Sequence, residues 1–210
     1  VDTVTATAGA NTISTGAGAD AITLGTGVDN VTAGAGNDTV TVATANLVST
    51  DTIAGGDGTD TLALSNAATV VDADFTLITG LEKINSGNNN LTLTLGSASS
   101  AAGLTTVTGG TGTNSITVGA GHTAALSVSL VAGTDTVTAT NYTGALTVSM
   151  DVDSLAGDTL TGGAGTSDKL SLTLDGAGDT ALASADMDTV TLFETVDIAS
   201  NVAASKIGRA

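Results

Sequence analysis

The 210-residue sequence has no cysteine, no proline and no tryptophan. Lack of cysteine excludes disulfides and thiolate metal sites. Lack of proline leaves every backbone N–H free to enter a strand ladder. Aromatic residues amount to 1% of the chain: Tyr142, Phe75 and Phe193. A rounded globular core draws its bulk from such rings. The apolar residues here are almost all Ala, Val, Ile and Leu, which points to a thin, two-layered cross-section. Strong cations are also scarce. Lys83, Lys169, Lys206 and Arg209 face 21 acids, giving a formal charge of −17. That balance argues against nucleic acid and against an anionic membrane surface as partners. No apolar run reaches the roughly 18 residues of a spanning helix, so no membrane insertion is expected. The chain opens at Val1 rather than Met and shows no signal-peptide pattern, which reads as a portion of something longer.

What is abundant is glycine, with 28 residues, and aspartate, which supplies 19 of the 21 acids; Glu82 and Glu194 are the other two. A surface that merely needed charge would use Glu as freely. The short carboxylate suits turns and hard-cation ligation, because it reaches back to its own loop. The glycines, each costing about 0.5–1 kcal/mol relative to Ala in a regular element, mark places where the backbone needs unusual torsion or close approach.

The acids and glycines are periodic. Asp2, Asn11, Asp20, Asp29 and Asp38 lie nine residues apart. An aliphatic follows each by two: Val4, Ile13, Ile22, Val31 and Val40. Gly9, Gly18, Gly27 and Gly36 precede by two, and Gly16, Gly25 and Gly34 by four. The register then slips by four and resumes at Asp51 and Asp60, where residues 55–63 read G-G-D-G-T-D-T-L-A. Weaker copies occur at 109–117, around Asp135 and at 158–165. A longer echo exists as well. Residues 55–65 return at 162–172 with one inserted residue, and 78–86, with Glu82, return at 190–200, with Glu194 at the same point.

These residues resemble the RTX, or haemolysin-type, calcium-binding nonapeptide repeat G-G-x-G-x-D-x-U-x. The long echo on a Thr/Ala-rich background is most similar to repeats of large calcium-dependent bacterial surface-layer (S-layer) proteins. The resemblance implies an all-β chain, a parallel β-roll or β-solenoid with RTX-type turns. Six residues would form a turn, three a strand, and two repeats one coil. Residues 1–63 would be the calcium-binding β-roll. Residues 64–210 would continue as a Thr/Ala-rich solenoid with a second, degenerate repeat unit at about 109–200. Alternation in L-T-L-T-L at 91–95, L-S-V-S-L at 126–130 and L-T-V-S-M at 146–150 predicts half-buried strands. The two best places for a helical turn are 97–102 and 183–188.

With two repeats per coil, residues 18 apart stack at about the 4.8 Å inter-strand distance. Bare carboxylates about 5 Å apart repel by about 3 kcal/mol at an effective dielectric of 20, so the row calls for a cation. Ca2+ fits a cage of Asp and backbone carbonyls. The best-formed edge is Asp20 and Asp38, flanked by Gly16, Gly18, Gly34 and Gly36, with Asp2 stacked on Asp20. The Asn11/Asp29 edge, with Gly27, carries one charge less and should bind more weakly. Asp60 with Asp57 and Asp51 forms a further group across the register slip, and Asp158 is a candidate in the degenerate unit. Glu82 and Glu194 serve either as ligands or as edge caps. Asp151, Asp153, Asp186 and Asp188 read as turn or surface acids, and His122 as a loop residue at a variable position.

No catalytic role is expected. There is no G-x-S-x-G, and no G-K-[ST] follows the glycine runs. The resemblance implies a secreted, extracellular structural protein that assembles with copies of itself into a surface layer, lattice or filament, with cell-surface polysaccharide as a further partner. The alternatives are a calcium-folded stalk or repeat module of a secreted RTX adhesin or hydrolase, and a virion component. An export address of the type I kind is not evident in the 205–210 ending.

Overall fold

A computed structural model describes residues 1–174, 182 and 187–200. Asp186, the 205–210 ending and most of 183–188 therefore lie outside the described residues. The chain is a parallel β-solenoid of about eight stacked turns. One wall is a ten-stranded parallel sheet that runs from the first to the last strand of the described residues. It starts at Thr3–Thr5, Ala21–Thr23, Thr39–Val42 and Thr61–Leu64. It continues without a break through Lys83–Asn85 to Thr195–Ser200. The rest of each coil is built in two ways. Early coils use a four-stranded sheet: Thr12–Ala17, Asn30–Ala35, Thr52–Asp57 and Ile78–Thr79. Later coils use a six-stranded one, from Ala68–Val70 and Leu91–Leu95 through Asn114–Val118, Thr136–Thr138 and Thr159–Thr161 to Val190–Thr191. The coil at 61–79 contributes a strand to all three sheets, and there one plan gives way to the other.

The nine-residue period sets this register. Thr3 pairs with Ala21 and Ala21 with Thr39, and on the facing wall Thr12 pairs with Asn30. The four-residue slip does not break it. The extra residues form a 3-10 turn at Thr44–Asn46, and Thr39 still pairs with Thr61 and Asn30 with Thr52. Strand lengths differ from the three-residue expectation on the second wall, where three strands are six residues long. Pairing there continues into the turn, because Gly16, Gly34 and Gly56 lie in register and let neighbouring turns stack closely.

Inward-facing aliphatics form one continuous core, including Ile22, Val40, Leu62, Ile84, Val107, Val128, Val148 and Leu170. Each such side chain contributes about 1.5–3 kcal/mol by leaving water. The 91–95 strand alternates buried and exposed positions as its sequence predicts. The α-helix Ser97–Ala102 falls on the first expected place. Its first backbone N–H groups are held by Asp72 of the preceding coil, which accepts from Gly96, Ala98 and Ser99 at 2.8–3.1 Å. Burial acts to raise the pKa of Asp72, but these bonds outweigh it and hold the pKa low.

Rings do enter the thin core. Phe75 and Tyr142 are fully buried, and the Tyr142 hydroxyl donates to the Ala124 and Ala145 carbonyls. His122 sits in a loop, and its side chain is buried. Its Nδ1 lies 3.2 Å from Ser99 Oγ, and its ring centroid lies 5.9 Å from that of Tyr142. Burial lowers its pKa.

Candidate calcium edges

Three rows of acids and asparagines run along the coil edges, each at the start of a strand or the residue just before it. Asp2, Asp20, Asp38, Asp60 and Glu82 lead into the long sheet. Asn11, Asp29 and Asp51 lead into the four-stranded sheet. Asn114, Asp135 and Asp158 lie at the entry to the six-stranded sheet.

In every acid of these rows after Asp2, one oxygen has a fixed structural task. Asp20 Oδ1 accepts from the Asp2 N–H at 2.6 Å, Asp38 from Asp20 at 2.7 Å and Asp60 from Asp38 at 2.8 Å. Glu82 Oε2 accepts from Asp60 at 2.8 Å. In the second row Asp29 accepts from Asn11 at 3.0 Å and Asp51 from Asp29 at 2.9 Å. In the third, Asp135 accepts from Asn114 at 2.8 Å and Asp158 from Asp135 at 2.7 Å. Each carboxylate thus bonds to the main chain of the coil before it, which locks the acids into line.

In six of the aspartates the other oxygen has no hydrogen-bond partner within the chain. Oδ2 of Asp20, Asp29, Asp38, Asp60, Asp135 and Asp158 is buried without a hydrogen-bond partner. These residues are at most 2% exposed. A buried carboxylate oxygen without a partner is costly, and a row of them more so. Three of these carboxyls are shifted upward, while the Asp2 N–H bond holds Asp20 below the usual carboxylate range. Burial raises Asp60, with the charges of Asp38 and Glu82 adding to it against the Asp38 N–H bond. Burial raises Asp135 as well. Burial, with the Asp135 charge, pushes Asp158 up to about 6.

The turns beside the first two rows bring carbonyls close. Gly34 and Gly36 have φ of +118° and +140°, a region that side chains avoid. A β-carbon at either would overlap the carbonyl of Gly16 or Gly18 in the coil before. Gly27 lies over the Gly9 carbonyl in the same way. Among the described residues no three His, Cys, Asp or Glu side chains converge on one point. An ion here would therefore be held by one or two carboxylates together with main-chain carbonyls. Calcium accepts such a set, taking six to eight oxygens in irregular geometry. The unpartnered Oδ2 atoms and the glycine turns fit it.

The other candidate residues divide. Asp60 and Asp51 stand on opposite edges, one in each row. Asp51 Oδ2 is taken by the Val48 N–H at 2.9 Å. Asp57 is exposed on a strand and joins neither row. Asp2 is exposed at the head of the first row. Asp168 has both oxygens bonded, by the Leu146 and Gly163 N–H groups. Glu194 Oε2 accepts from the Asp168 N–H at 2.7 Å, as Glu82 does from Asp60. The long echo is therefore a repeat of geometry. Even Gly80, at φ +59°, has its counterpart in Leu192, at φ +60°. Asp135 was not singled out as a site residue from the sequence. The available signal was G-G-T-G-T-N at 109–114 with an acid 21 residues beyond.

A parallel solenoid with buried, half-satisfied aspartate rows in glycine turns is the architecture of a calcium-binding β-roll. Residues 1–31 and 49–65 match the family model of the RTX calcium-binding nonapeptide repeat (4 copies). This part of the chain is thus built of RTX repeats, a structural module whose cofactor is calcium and which is typical of secreted proteins. Comparison with curated proteins and with solved structures gives no match.

Proposed function

We propose that this chain is a calcium-folded rod of an extracellular structural protein, assembling with copies of itself into a surface layer or similar lattice. The observation that carries the calcium part is the set of buried Oδ2 atoms without partners along the N-terminal edges. Calcium binding there becomes folding energy, because the site does not exist in the unfolded chain. The assembly part rests on the resemblance of the long repeat and on charge. Copies carrying −17 repel until cations neutralise them, so calcium would govern both folding and association. A stiff solenoid with an uninterrupted ten-stranded wall suits a load-bearing layer.

Burial of the acid rows favours a second reading, a calcium-folded stalk. Ions held inside the edges stiffen one rod without bridging two. Circular dichroism and light scattering on the EGTA-treated chain, with calcium returned to the millimolar range, separate the readings. The lattice reading requires strand signal and scattering to rise together, with magnesium unable to substitute. Strand signal without scattering leaves the stalk.

A further inference from the structure

Two asparagines occupy equivalent places in different parts of the solenoid, and their contacts are nearly the same. Asn11 Nδ2 donates to the Thr7 carbonyl at 3.2 Å, the Gly9 carbonyl at 2.8 Å and Asp29 Oδ1 at 2.8 Å. Asn114 Nδ2 donates to the Gly110 carbonyl at 3.2 Å, the Gly112 carbonyl at 2.9 Å and Asp135 Oδ1 at 2.9 Å. In both cases the partners are the carbonyls four and two residues back and the carboxylate of the next coil. Three oxygens converge on a single NH2 group, whose hydrogens carry partial positive charge. Turning the amide over would set Oδ1 against three acceptors, so the contacts fix its orientation.

At the next coil of the third row the corresponding positions recur without the amide. The residues four and two before Asp135 are Val131 and Gly133, and Asp158 Oδ1 comes from the coil beyond. Gly133 stacks on Gly112, since a β-carbon at Gly133 would lie 2.5 Å from the Gly112 carbonyl oxygen. The turn therefore lies directly over the one that Asn114 closes. Where Asn114 carries the Nδ2 donor, Asp135 carries a second carboxylate oxygen; Oδ2 of Asp135 and of Asp158 is wholly buried without a partner, as is the Oδ1 that the Asn114 amide keeps beside its bonded Nδ2. These residues lie outside the segments matched to RTX repeats.

We propose that Asp135 and Asp158 form a cation-binding edge for a hard divalent ion of the calcium type, and that the Asn114 amide is the chain's own substitute for the next ion in that row. Asn11 plays the same part in the second row, so neither asparagine coil takes an ion. The inference rests on the calcium reading of the N-terminal edges for the type of ion, and is independent of lattice assembly.

The test is a count of bound calcium per full-length chain by equilibrium dialysis, for the wild type, Asp135→Asn, Asn114→Asp and Asn11→Asp. Asp135→Asn is expected to bind one ion fewer and to need less calcium to fold, because the new amide fills the vacated place. Asn114→Asp and Asn11→Asp are each expected to bind one ion more and to need more calcium to fold. Asn11 lies at a partly exposed edge, so its variant keeps the substitution testable where Asn114→Asp fails to fold. A folded Asp135→Asn chain with an unchanged count overturns the third-row site. A folded Asn11→Asp chain with an unchanged count overturns the amide substitution. Wild type that binds no calcium overturns the calcium reading itself, and this inference with it.

Discussion

The edge that enters the long sheet is built twice from one register. In the N-terminal coils it reads Asp2, Asp20, Asp38, Asp60 and Glu82; further along, the stacked positions are Thr105, Leu126 and Leu146, before the row returns to acids at Asp168 and Glu194. Leu126 and Leu146 are as fully buried as the aspartates they replace. The same place in the coil is therefore closed by carboxylates in the N-terminal coils and by leucines at 126 and 146. The backbone hardly distinguishes them, and strand pairing is parallel and in register throughout. What differs is the origin of the stabilisation, ion binding in the first case and burial from water in the second.

That contrast is sharpest for paired substitutions. Leu146→Ala should cost about 2–5 kcal/mol, as large-to-small core changes do, with or without calcium. Asp38→Ala should cost about 1–3 kcal/mol in saturating calcium, because it also strips the Asp20 N–H of its acceptor. In EGTA the cost of Asp38→Ala should shrink or reverse, since a repelling buried charge is removed. Chemical denaturation of both variants under both conditions measures this. A calcium-dependent Leu146→Ala cost would blur the two regions.

Acid should act with opposite sign on the two forms. Asp158 is raised from 3.8 to about 6, and Asp60 and Asp135 are raised in the same direction. In the metal-free chain Asp158 contributes its stability fully below about pH 3.8 and loses it as pH rises through about 6, and Asp60 and Asp135 act in the same direction. Calcium needs the carboxylates ionised, so the loaded chain should instead gain stability over that interval. Melting temperatures at pH 4 and 7, in EGTA and in calcium, test this crossing. The smallest effect is expected at Leu192. Its φ of +60° costs an L-residue about 1–2 kcal/mol, and glycine holds the matching place at Gly80. Leu192→Gly should stabilise the chain by about 1 kcal/mol or less, because glycine also loses more entropy on folding.

The sequence carried much of the N-terminal half, because there a strict nine-residue period ties acid, glycine and aliphatic together. An 18-residue stacking of Asp20 on Asp38 follows from that period, and the register agrees. Alternation alone was enough for the 91–95 strand, since pleat and burial share a period of two. The third row was harder to read. Its coils are 21 and 23 residues long, and Asp135 has Val131 where the repeat places glycine. Asp72 could not be read as a helix cap, because the N–H groups it holds lie 24–27 residues away. The four-residue slip concealed that Asp51 and Asp60 belong to different edges, which depends on where the extra residues bulge from the coil. Burial of His122 and Tyr142 depends on neighbours in adjacent coils that no local pattern announces.

Hydrogen exchange read by mass spectrometry, on the calcium-loaded and the EGTA-treated chain, tests the central claim most directly. The account predicts that calcium removal abolishes protection in the strands between residues 3 and 64. Protection should remain at Thr106–Thr108, Leu126–Ser129 and Leu146–Asp151. Equal protection of both regions with and without calcium would contradict it, and would leave the acid rows without a role in folding.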